Sequence, residues 1–431
     1  MPRRIFTQIF CGLLFPLVWT TAWPDQTIGA QGRKPSQVLR QLAEQQQQLS
    51  EDYDRDVSEG KAQFYEWEAR AEAVRRLAAE RSSGFKIYDW KGDELLALAT
   101  IYQRAEMFEA VAAAYRAWLT GEPKSRDAIR VRFGLTRALL ENDQLEEAQK
   151  LLEELFRQMP EEPFQFVSLI TLHKDLALAW RDRGKYDLVL KHAKRGYDLA
   201  QNNDKFRRMG EQMQAAVERD QMALAAIVIA AQEKLGFKKE AEEFSRRVLK
   251  SDFEHQPGLK QFFEAELASA RLLGNPAPEL AVARWLEGES EAVARKIADL
   301  RGKVVLLDFW AMWSSPGLAA FSHFRDFQTR YGSKGFEIIG VTRFFGRSDV
   351  EQDLSREQEW KSLQNFKNRH RLTYPIAVGK LDDVTNDERY SVAGLPTVIL
   401  IDRRGQVRHI KRGAGEYRKL ARQIERLIGE S

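Results

Sequence analysis

Residues Leu300–Gly317 decide the fold of the carboxyl-terminal third, and they read LRGKVVLLDFWAMWSSPG. The run Val304–Leu307 is apolar and begins with two β-branched residues, which predicts a strand buried on both faces of a sheet. A helix is predicted from Ser315 to Arg330, because Pro316 suits the first turn of a helix. A buried strand followed at once by a helix indicates an α/β domain.

Strands and helices continue to alternate towards the carboxyl terminus. Helices are predicted over 350–371 and 416–428, and strands over 336–341, 374–378, 397–401 and 406–410. The last two strands are expected to form a hairpin across the turn Asp402–Gly405. This order predicts a three-layer α/β/α sandwich around one central sheet.

Several separated motifs in this region carry a specific resemblance. They are Pro-Ala-Pro at 276–278, the stretch 300–313, Gly-Leu-Pro-Thr at 394–397 and Ile-Asp-Arg-Arg-Gly at 401–405. In this order they resemble the TlpA/redoxin (AhpC/TSA-like) branch of the thioredoxin superfamily. The resemblance covers residues 275–431 and implies a thioredoxin-like domain there.

The resemblance also shows what is missing. In that family, the tryptophan matching Trp313 is followed by Cys-x-x-Cys at the start of a helix, whose amino end stabilises the nucleophilic thiolate. Here the four positions are Ser314, Ser315, Pro316 and Gly317, so both cysteines are absent. A serine hydroxyl is far less acidic than a thiol and forms no disulfide. We therefore expect no catalytic residues and no thiol–disulfide exchange. A thiol–disulfide oxidoreductase, as the family would imply, is the alternative.

Two other enzymatic interpretations rest on the same residues. A hydrolase would need Ser314 or Ser315 beside a base, but no G-x-S-x-G motif is present. His323 follows Ser315 by eight residues, about two helical turns, so it is not expected to reach. A peroxidase of the peroxiredoxin type would need a peroxidatic cysteine, which has no counterpart here.

A peptide groove is the second feature implied by the resemblance. Pro396 matches the family's cis-proline, which lies beside the cysteine pair and exposes main chain to an extended peptide. Trp313, Ser314, Leu395 and Pro396 are the predicted groove. Two interpretations stay open: the groove still binds peptides, or these residues only retain the fold. Asp308 matches the family's buried proton-transfer carboxylate, and without a thiol we expect it to be structural.

Residues 36–272 are predicted to be helical almost throughout. The first segment is predicted as one long amphipathic helix, because its apolar residues recur at steps of three, four or seven. These residues are Leu42, Leu49, Tyr53, Val57, Phe64, Trp67, Ala71, Val74 and Ala78. His173 and His192 stand singly on later helices and are interpreted as surface or packing residues, not ligands.

Four later stretches share a pattern of helix, tight turn and helix, with Gly184 and Gly236 at two of the turns. They are 95–119, 133–159, 176–200 and 224–249. They resemble degenerate tetratricopeptide repeats, although the aligned positions lie 37, 41 and 52 residues apart and the ideal spacing is about 34. An irregular helical bundle is the alternative. A repeat array would offer a concave face to peptides or partner proteins.

Residues 1–30 are predicted to be a signal peptide. A positively charged start precedes the uncharged apolar run Ile5–Trp19, and cleavage after Ala22 or after Ala30 is possible. The run has about fifteen residues, fewer than the roughly 20 that span a bilayer. We therefore expect an exported protein of the periplasm or cell envelope, associated with a membrane only if the signal is uncleaved.

Composition limits the choice of partners. Cys11, the only cysteine, lies inside the predicted signal, so the mature protein would hold no disulfide. The chain has 67 basic and 63 acidic residues, a balance that gives no general attraction to nucleic acid. No His, Cys or carboxylate cluster has metal-ligand spacing, so no metal or cofactor is expected. The expected partners are proteins or peptides, bound by the helical repeats and the groove.

A cluster of basic residues closes the chain. We interpret it as a solvated face, with an anionic membrane or an acidic partner as the alternative. Its members are Arg403, Arg404, Arg408, Lys411, Arg412, Arg418, Lys419, Arg422 and Arg426. Taken together, the sequence predicts a helical-repeat array over 36–272 followed by a thioredoxin-like α/β/α domain over 275–431, in an exported, non-catalytic interaction protein.

Overall fold

The computed structural model describes residues 33–58, 67–158, 162–201, 209–250, 257–286, 296–318, 320–380 and 384–430. The predicted signal at 1–30, with Cys11, lies outside these ranges. So does Phe64 of the predicted long helix. Within these ranges, no helix combines the length and the apolar character that a membrane crossing requires.

The amino-terminal region, called the helical region from here on, is built from helices. They are α1 (Pro35–Ser58), α2 (Trp67–Ser82), α3 (Asp93–Arg104), α4 (Phe108–Gly121), α5 (Ala128–Glu141), α6 (Leu145–Gln158), α7 (Pro163–Arg181), α8 (Tyr186–Ala200), α9 (Glu211–Lys234), α10 (Lys238–Lys250) and α11 (Pro257–Leu272). The four predicted helix pairs correspond to α3–α4, α5–α6, α7–α8 and α9–α10, which confirms the helical architecture. The assignment to the tetratricopeptide family stays a prediction.

The prediction of one long helix at the start of this region is wrong. Leu42 of α1 and Ala78 of α2 belong to the same buried cluster as Ile101, and Arg81 donates a hydrogen bond to Gln41 over 3.4 Å. In one straight helix, Leu42 and Ala78 would lie about 54 Å apart. The chain therefore folds back between α1 and α2, because two helices that share an apolar stripe bury it better against each other than in solvent.

The turns and contacts inside the pairs follow the sequence pattern. Gly184 and Gly236 have φ angles of +69° and +86°, the left-handed conformation expected where the first helix of a pair ends. The aligned residues of the second helices, Val111, Ala148 and Val189, are all buried. Small or branched side chains at these positions let the paired helices approach each other closely.

His173 and His192 were interpreted separately, but the structure brings them together. Both side chains are fully buried. Their rings stack with centroids 5.2 Å apart, and their Nδ1 atoms lie 3.0 Å apart. A neutral imidazole donates from one nitrogen and accepts at the other, so one ring can donate to its neighbour. The packing interpretation therefore holds, with each histidine as the polar partner of the other.

The carboxyl-terminal domain contains a six-stranded sheet. Its elements are β1 (Arg284–Leu286), β2 (Val304–Phe309), α12 (Ser315–Leu318), α13 (Ala320–Tyr331), β3 (Phe336–Arg343), α14 (Arg356–Arg369), β4 (Ile376–Gly379), α15 (Thr385–Arg389), β5 (Thr397–Ile401), β6 (Val407–Arg412) and α16 (Tyr417–Gly429). The strand order is β1-β4-β3-β2-β5-β6. The five predicted strands are confirmed. β1 and α15 were not predicted, because segments of three and five residues are too short to show a period.

Pairing directions and burial place the core on both faces of this sheet. β2 lies parallel to β3 and antiparallel to β5, and all six of its residues are buried. Leu306 and Trp310 point into a core shared with α13, α14 and α16. Leu307 and Phe309 point to the opposite face, which is covered by the turn Ile297–Leu300 and by residues near α15. The mixed sheet with helices is the predicted thioredoxin-like architecture.

Part of the basic cluster faces the helical region. Four of its arginines pair with carboxylates as far as 312 residues away in sequence. The pairs are Arg418–Glu106, Arg422–Glu141, Arg426–Asp182 and Arg412–Glu266. The interpretation as a solvated face is wrong for these residues. The acidic partner is the helical region of the same chain, which only the tertiary fold could bring opposite them.

Strand β6 adds main-chain contacts to this interface. Arg408 donates from Nη2 to the carbonyl oxygen of Asp182 over 2.7 Å, at the carboxyl end of α7. Arg412 donates to the Ser269 hydroxyl on α11. A cation at the carboxyl end of a helix is stabilised by the helix dipole, so the position of Arg408 is electrostatically favourable.

Candidate functional site

The degenerate motif lies at the carboxyl end of β2, where the chain turns into α12. The main-chain N–H of Ser314 donates to Ala311 over 3.0 Å, and that of Gly317 donates to Ser314 over 2.9 Å. Ser314 is buried. Among the described residues, no histidine or carboxylate is hydrogen-bonded to its side chain, and His323 instead stacks on Tyr417 with ring centroids 4.4 Å apart. The turn holds a serine without a base to activate it.

Pro396 lies beside this motif. The Leu395–Pro396 peptide bond is cis, as the resemblance implied. A Cβ added at Gly317 would lie 3.9 Å from Cβ of Pro396 and 3.8 Å from Cβ of Trp310. The carbonyl oxygen of Pro396 accepts a hydrogen bond from Gly413 over 2.8 Å. The fold therefore brings the last position of the motif against the cis-proline.

The main chain of Leu395 is available to a ligand. Within the described part of the chain, no hydrogen bond uses its N–H or its C=O. The Leu395 side chain is half-buried, whereas Pro396 is buried. Buried or half-buried main-chain groups are normally paired, so an unpaired donor and acceptor next to a cleft are suited to an extended peptide.

Asp308 lies on β2 opposite Gly340 and Val398. Its carboxyl group is buried, and neither oxygen has a hydrogen-bond partner among the described residues. Burial raises the pKa of Asp308 to about 8, while the nearby Lys411 acts in the opposite direction. The group is therefore protonated near neutral pH. Its predicted structural role stays a prediction.

The loop after β3 contributes residues that the sequence reasoning missed. Phe345 packs edge-to-face on Trp313, with centroids 5.5 Å apart. The Arg347 guanidinium carbon lies 4.0 Å from the centre of the Trp313 ring, and that of Arg343 lies 4.7 Å from the centre of the Phe345 ring. Since β2 and β3 are parallel, their carboxyl ends meet at one edge. Arg343 at the end of β3 and Arg347 four residues later were the available signal.

Glu359 of α14 fixes this loop. Its buried carboxylate accepts hydrogen bonds from the main-chain N–H groups of Phe345 and Gly346, each over 2.8 Å. Burial raises the pKa of Glu359, and the N–H groups of residues 345–347 oppose that shift. Gly346 has a φ angle of +69°, which allows the tight curve around the carboxylate. The rings and guanidinium groups are therefore held in place before any ligand binds.

The carboxyl ends of β2 and β3, the loop after β3 and Leu395 border one cleft. It encloses about 280 Å³ of space open to solvent. Its lining includes Phe309, Trp310, Thr342, Arg343, Phe345 and Leu395. Among the described residues, no group of three or more histidine, cysteine, aspartate or glutamate side chains is arranged to hold a metal ion. The arrangement offers aromatic surface, guanidinium donors and free main chain, without a nucleophile.

The mixed sheet, the cis-proline and the position of the degenerate motif define a thioredoxin-like domain. The AhpC/TSA family model matches residues 273–410. The thiol-disulfide oxidoreductase ResA of Geobacillus kaustophilus is 30% identical over 164 residues, which cover 38% of this chain and 82% of that protein. ResA of Geobacillus thermodenitrificans is 32% identical over 152 residues, which cover 35% of this chain and 75% of that protein. The chain belongs to the AhpC/TSA family.

Solved structures also align with this part of the chain. A thiol:disulfide interchange protein DsbE from Chlorobium tepidum is 27% identical and covers 36% of this chain and 98% of its own, with a TM-score of 0.29. A thiol-disulfide isomerase from Corynebacterium glutamicum is 23% identical, and the match covers 36% of this chain and 98% of that protein, with a TM-score of 0.30.

Proposed function

We propose that this chain is an exported, non-catalytic interaction protein whose thioredoxin-like domain binds an extended peptide in the cleft beside Ser314. The observation that carries the proposal is the unpaired main chain of Leu395, next to the cis-peptide of Pro396. An extended peptide would complete these hydrogen bonds as an added strand does at a sheet edge. The aromatic rings of Trp313 and Phe345 would pack against its side chains.

The missing sulfur atoms support binding without chemistry. Ser314 and Gly317 stand where the family has its cysteine pair, and the sole cysteine of the chain, Cys11, lies in the predicted signal peptide. Asp308 would be the proton carrier of a redox site, but here it has no thiol to serve. The proposal needs no cofactor, no metal and no nucleic acid.

The predicted signal at residues 1–30 is the basis for placing the protein in the periplasm or cell envelope. Association with the membrane would follow only if that segment stays attached. The helical region would bind a protein partner with the surfaces that its own thioredoxin-like domain leaves uncovered. Arg408 and Arg426 already occupy the carboxyl end of α7.

Binding at Leu395 is tested with two substitutions at one position. The probe is a fluorescein-labelled, end-blocked octapeptide of alternating valine and glutamine, and the readout is fluorescence anisotropy. Leu395→Pro removes the main-chain donor and should weaken binding about tenfold. Leu395→Ala keeps the donor and is the matched control, with a loss of about threefold or less. Equal affinities for both variants, or no binding by the unmodified protein, would contradict the proposal.

A thiol–disulfide oxidoreductase is the second candidate, favoured by the likeness to the thiol-disulfide oxidoreductases ResA. Reduction of insulin by the purified protein distinguishes the two functions, and we expect no turnover above the uncatalysed rate. A Ser314→Cys/Gly317→Cys variant should gain disulfide exchange, because a Cβ at 317 meets its neighbours only at ordinary contact distance. Turnover by the unmodified protein would refute the non-catalytic proposal.

A further inference from the structure

Two arginines flank two adjacent aromatic rings at one side of the cleft, where Arg343 and Phe345 belong to the lining. In spatial order they are Arg347, Trp313, Phe345 and Arg343, and we call them the arginine–aromatic ladder. The three contacts measure 4.0, 5.5 and 4.7 Å. A cation over the face of an aromatic ring is attracted by the ring's electrons, so each guanidinium is held against its ring. Neither arginine belongs to the family motifs that carry the resemblance.

The contact with the ring uses none of the N–H donors of the guanidinium groups. All the N–H donors of arginine lie in the plane of the group and can donate to a ligand there. Within the described ranges, no carboxylate lies within 4.0 Å of Arg347, so its charge has no ion-pair partner there. Its cation–ring contact with Trp313 holds the side chain without using these donors.

Arg343 is only partly satisfied. Its Nη2 lies 3.6 Å from Oδ2 of Asp387, which is too long for a hydrogen bond. Its Nε is buried and has no hydrogen-bond partner among the described residues. A buried donor without an acceptor costs free energy, and an acceptor brought by a ligand would recover that cost.

We propose that the ladder selects peptides with a carboxylate side chain, which Arg343 and Arg347 bind while Leu395 holds the peptide main chain. This inference rests on the proposed function and adds the chemical class of its ligand. A carboxylate is planar and accepts two parallel N–H bonds from one guanidinium. Arg343 and Leu395 both line the cleft, and Glu359 has already ordered the loop that follows Arg343.

The test uses three fluorescein-labelled, end-blocked octapeptides that alternate valine with glutamate, glutamine or lysine. We expect the purified protein to bind the glutamate peptide about tenfold more tightly than the glutamine peptide, and the lysine peptide least. Arg343→Gln/Arg347→Gln should reduce the glutamate-to-glutamine affinity ratio to about one, whatever its effect on the affinity for the glutamine peptide. Arg330→Gln, an exposed residue of α13, removes one charge from the same domain and should preserve the ratio.

The outcomes separate the inference from the proposed function. Equal binding of all three peptides by the unmodified protein keeps the peptide groove and overturns the selection of carboxylates. If the unmodified protein binds none of the peptides, both the inference and the proposed function are overturned. A ratio that survives the double substitution means that other groups select the charge, and it also overturns the inference. If the double variant no longer binds the glutamine peptide, the ratio is measured with Arg343→Lys/Arg347→Lys instead. This variant keeps both positive charges and should retain part of the glutamate-to-glutamine affinity ratio. A ratio of one in this variant overturns the inference.

A competition experiment identifies the anion. Glutarate at a given concentration should displace the glutamate peptide more strongly than inorganic phosphate at the same concentration. Displacement by phosphate alone would assign the ladder to a phosphoryl ligand and refute its assignment to a carboxylate.

Discussion

The Asp308 carboxyl is surrounded by the apolar core between β2 and the helices that cover it. Leu306 and Trp310 flank it on the same face of the strand. Burial raises its pKa to about 8, so the folded protein binds this proton far more tightly than the unfolded chain, whose aspartates titrate near 4. The group therefore stabilises the fold fully only below pH 4, and that contribution is lost as the pH rises towards 8.

We predict that Asp308→Asn stabilises the protein by an amount that grows with pH between about 4 and 8, reaching about 4 kcal/mol near neutral pH. The amide fills the same space and never ionises. Urea unfolding of the two proteins at several pH values across this range provides the measurement. A stability difference that stays constant with pH would show that Asp308 ionises normally in the fold.

His173 and His192 respond to pH in the opposite direction. Burial lowers the pKa of both, that of His192 to about 4, and the nearby Lys191 and Arg195 lower it further while Glu153 opposes them. The unfolded histidines take up protons near pH 6.5, before the folded ones do. Their contribution to stability is therefore complete above pH 6.5 and is lost as the pH falls to about 4.

We predict that His192→Leu costs about 1–3 kcal/mol, because it leaves the Nδ1 of His173 buried without its partner. His173→Leu/His192→Leu should recover part of that loss and flatten the decline in stability at acid pH. Thermal unfolding of the single and double variants across pH 4 to 7 measures both effects. An acid decline of unchanged size in the double variant would assign it to other groups, of which His409 is one because its pKa is also lowered to about 4.

At the scale of elements, α16 presents one row of arginines to the helical region. Arg418, Arg422 and Arg426 are spaced by four and so lie on one face of the helix. The partner carboxylates stand at or just beyond the carboxyl ends of α3, α5 and α7. The helix dipoles add to the attraction at these ends, which explains why one helix can bridge three others.

We predict that Arg422→Glu destabilises the protein by about 1 kcal/mol, since the pair with Glu141 is more than one-third exposed on its arginine side. Adding Glu141→Arg should restore part of the loss by recreating the pair in reverse. The double-mutant cycle is measured by urea unfolding at low salt, and the coupling should shrink when salt is added. A coupling of zero at low salt would mean that this contact does not hold the two parts together.

At the scale of the whole molecule, the link between the two parts is a strand-like contact. Gly274 donates to Val407 over 2.7 Å, Val407 donates to Asn275 over 2.9 Å, and Ala277 donates to Gly405 over 2.8 Å. The connecting segment thus runs along β6, the same strand whose Arg408 and Arg412 contact the helical region. The connection and the interface form one continuous set of contacts.

We predict that the protein unfolds in a single thermal transition and that Arg408→Ala/Arg412→Ala separates it into two. The two arginines carry contacts to α7 and α11, and their loss should uncouple the helical region from the sheet. Calorimetry measures the transitions, and Arg330→Ala serves as the control for loss of charge. Two transitions in the unmodified protein, or one in the double variant, would contradict this account.

Features with a local cause could be read from the sequence. The apolar runs at 304–307 and 397–401 form the predicted strands, two of the helix pairs turn at the predicted glycines, and the serine at 314 excludes a thiolate there. The groove residues Leu395 and Pro396 were also named, because their motif is contiguous. Each of these follows from the residue itself or from neighbours within one period of a helix or strand.

Only the tertiary structure decided features that join distant parts of the chain. The return of α2 along α1, the pairing of His173 with His192 and the docking of α16 on the helical region all join residues between 19 and 312 positions apart. The stacking of Arg347 on Trp313 depends likewise on the parallel pairing of β2 with β3. Such contacts produce no periodic pattern in the sequence. Which side chains meet depends on the path of the backbone through the fold, and not on the residues next to them in the chain.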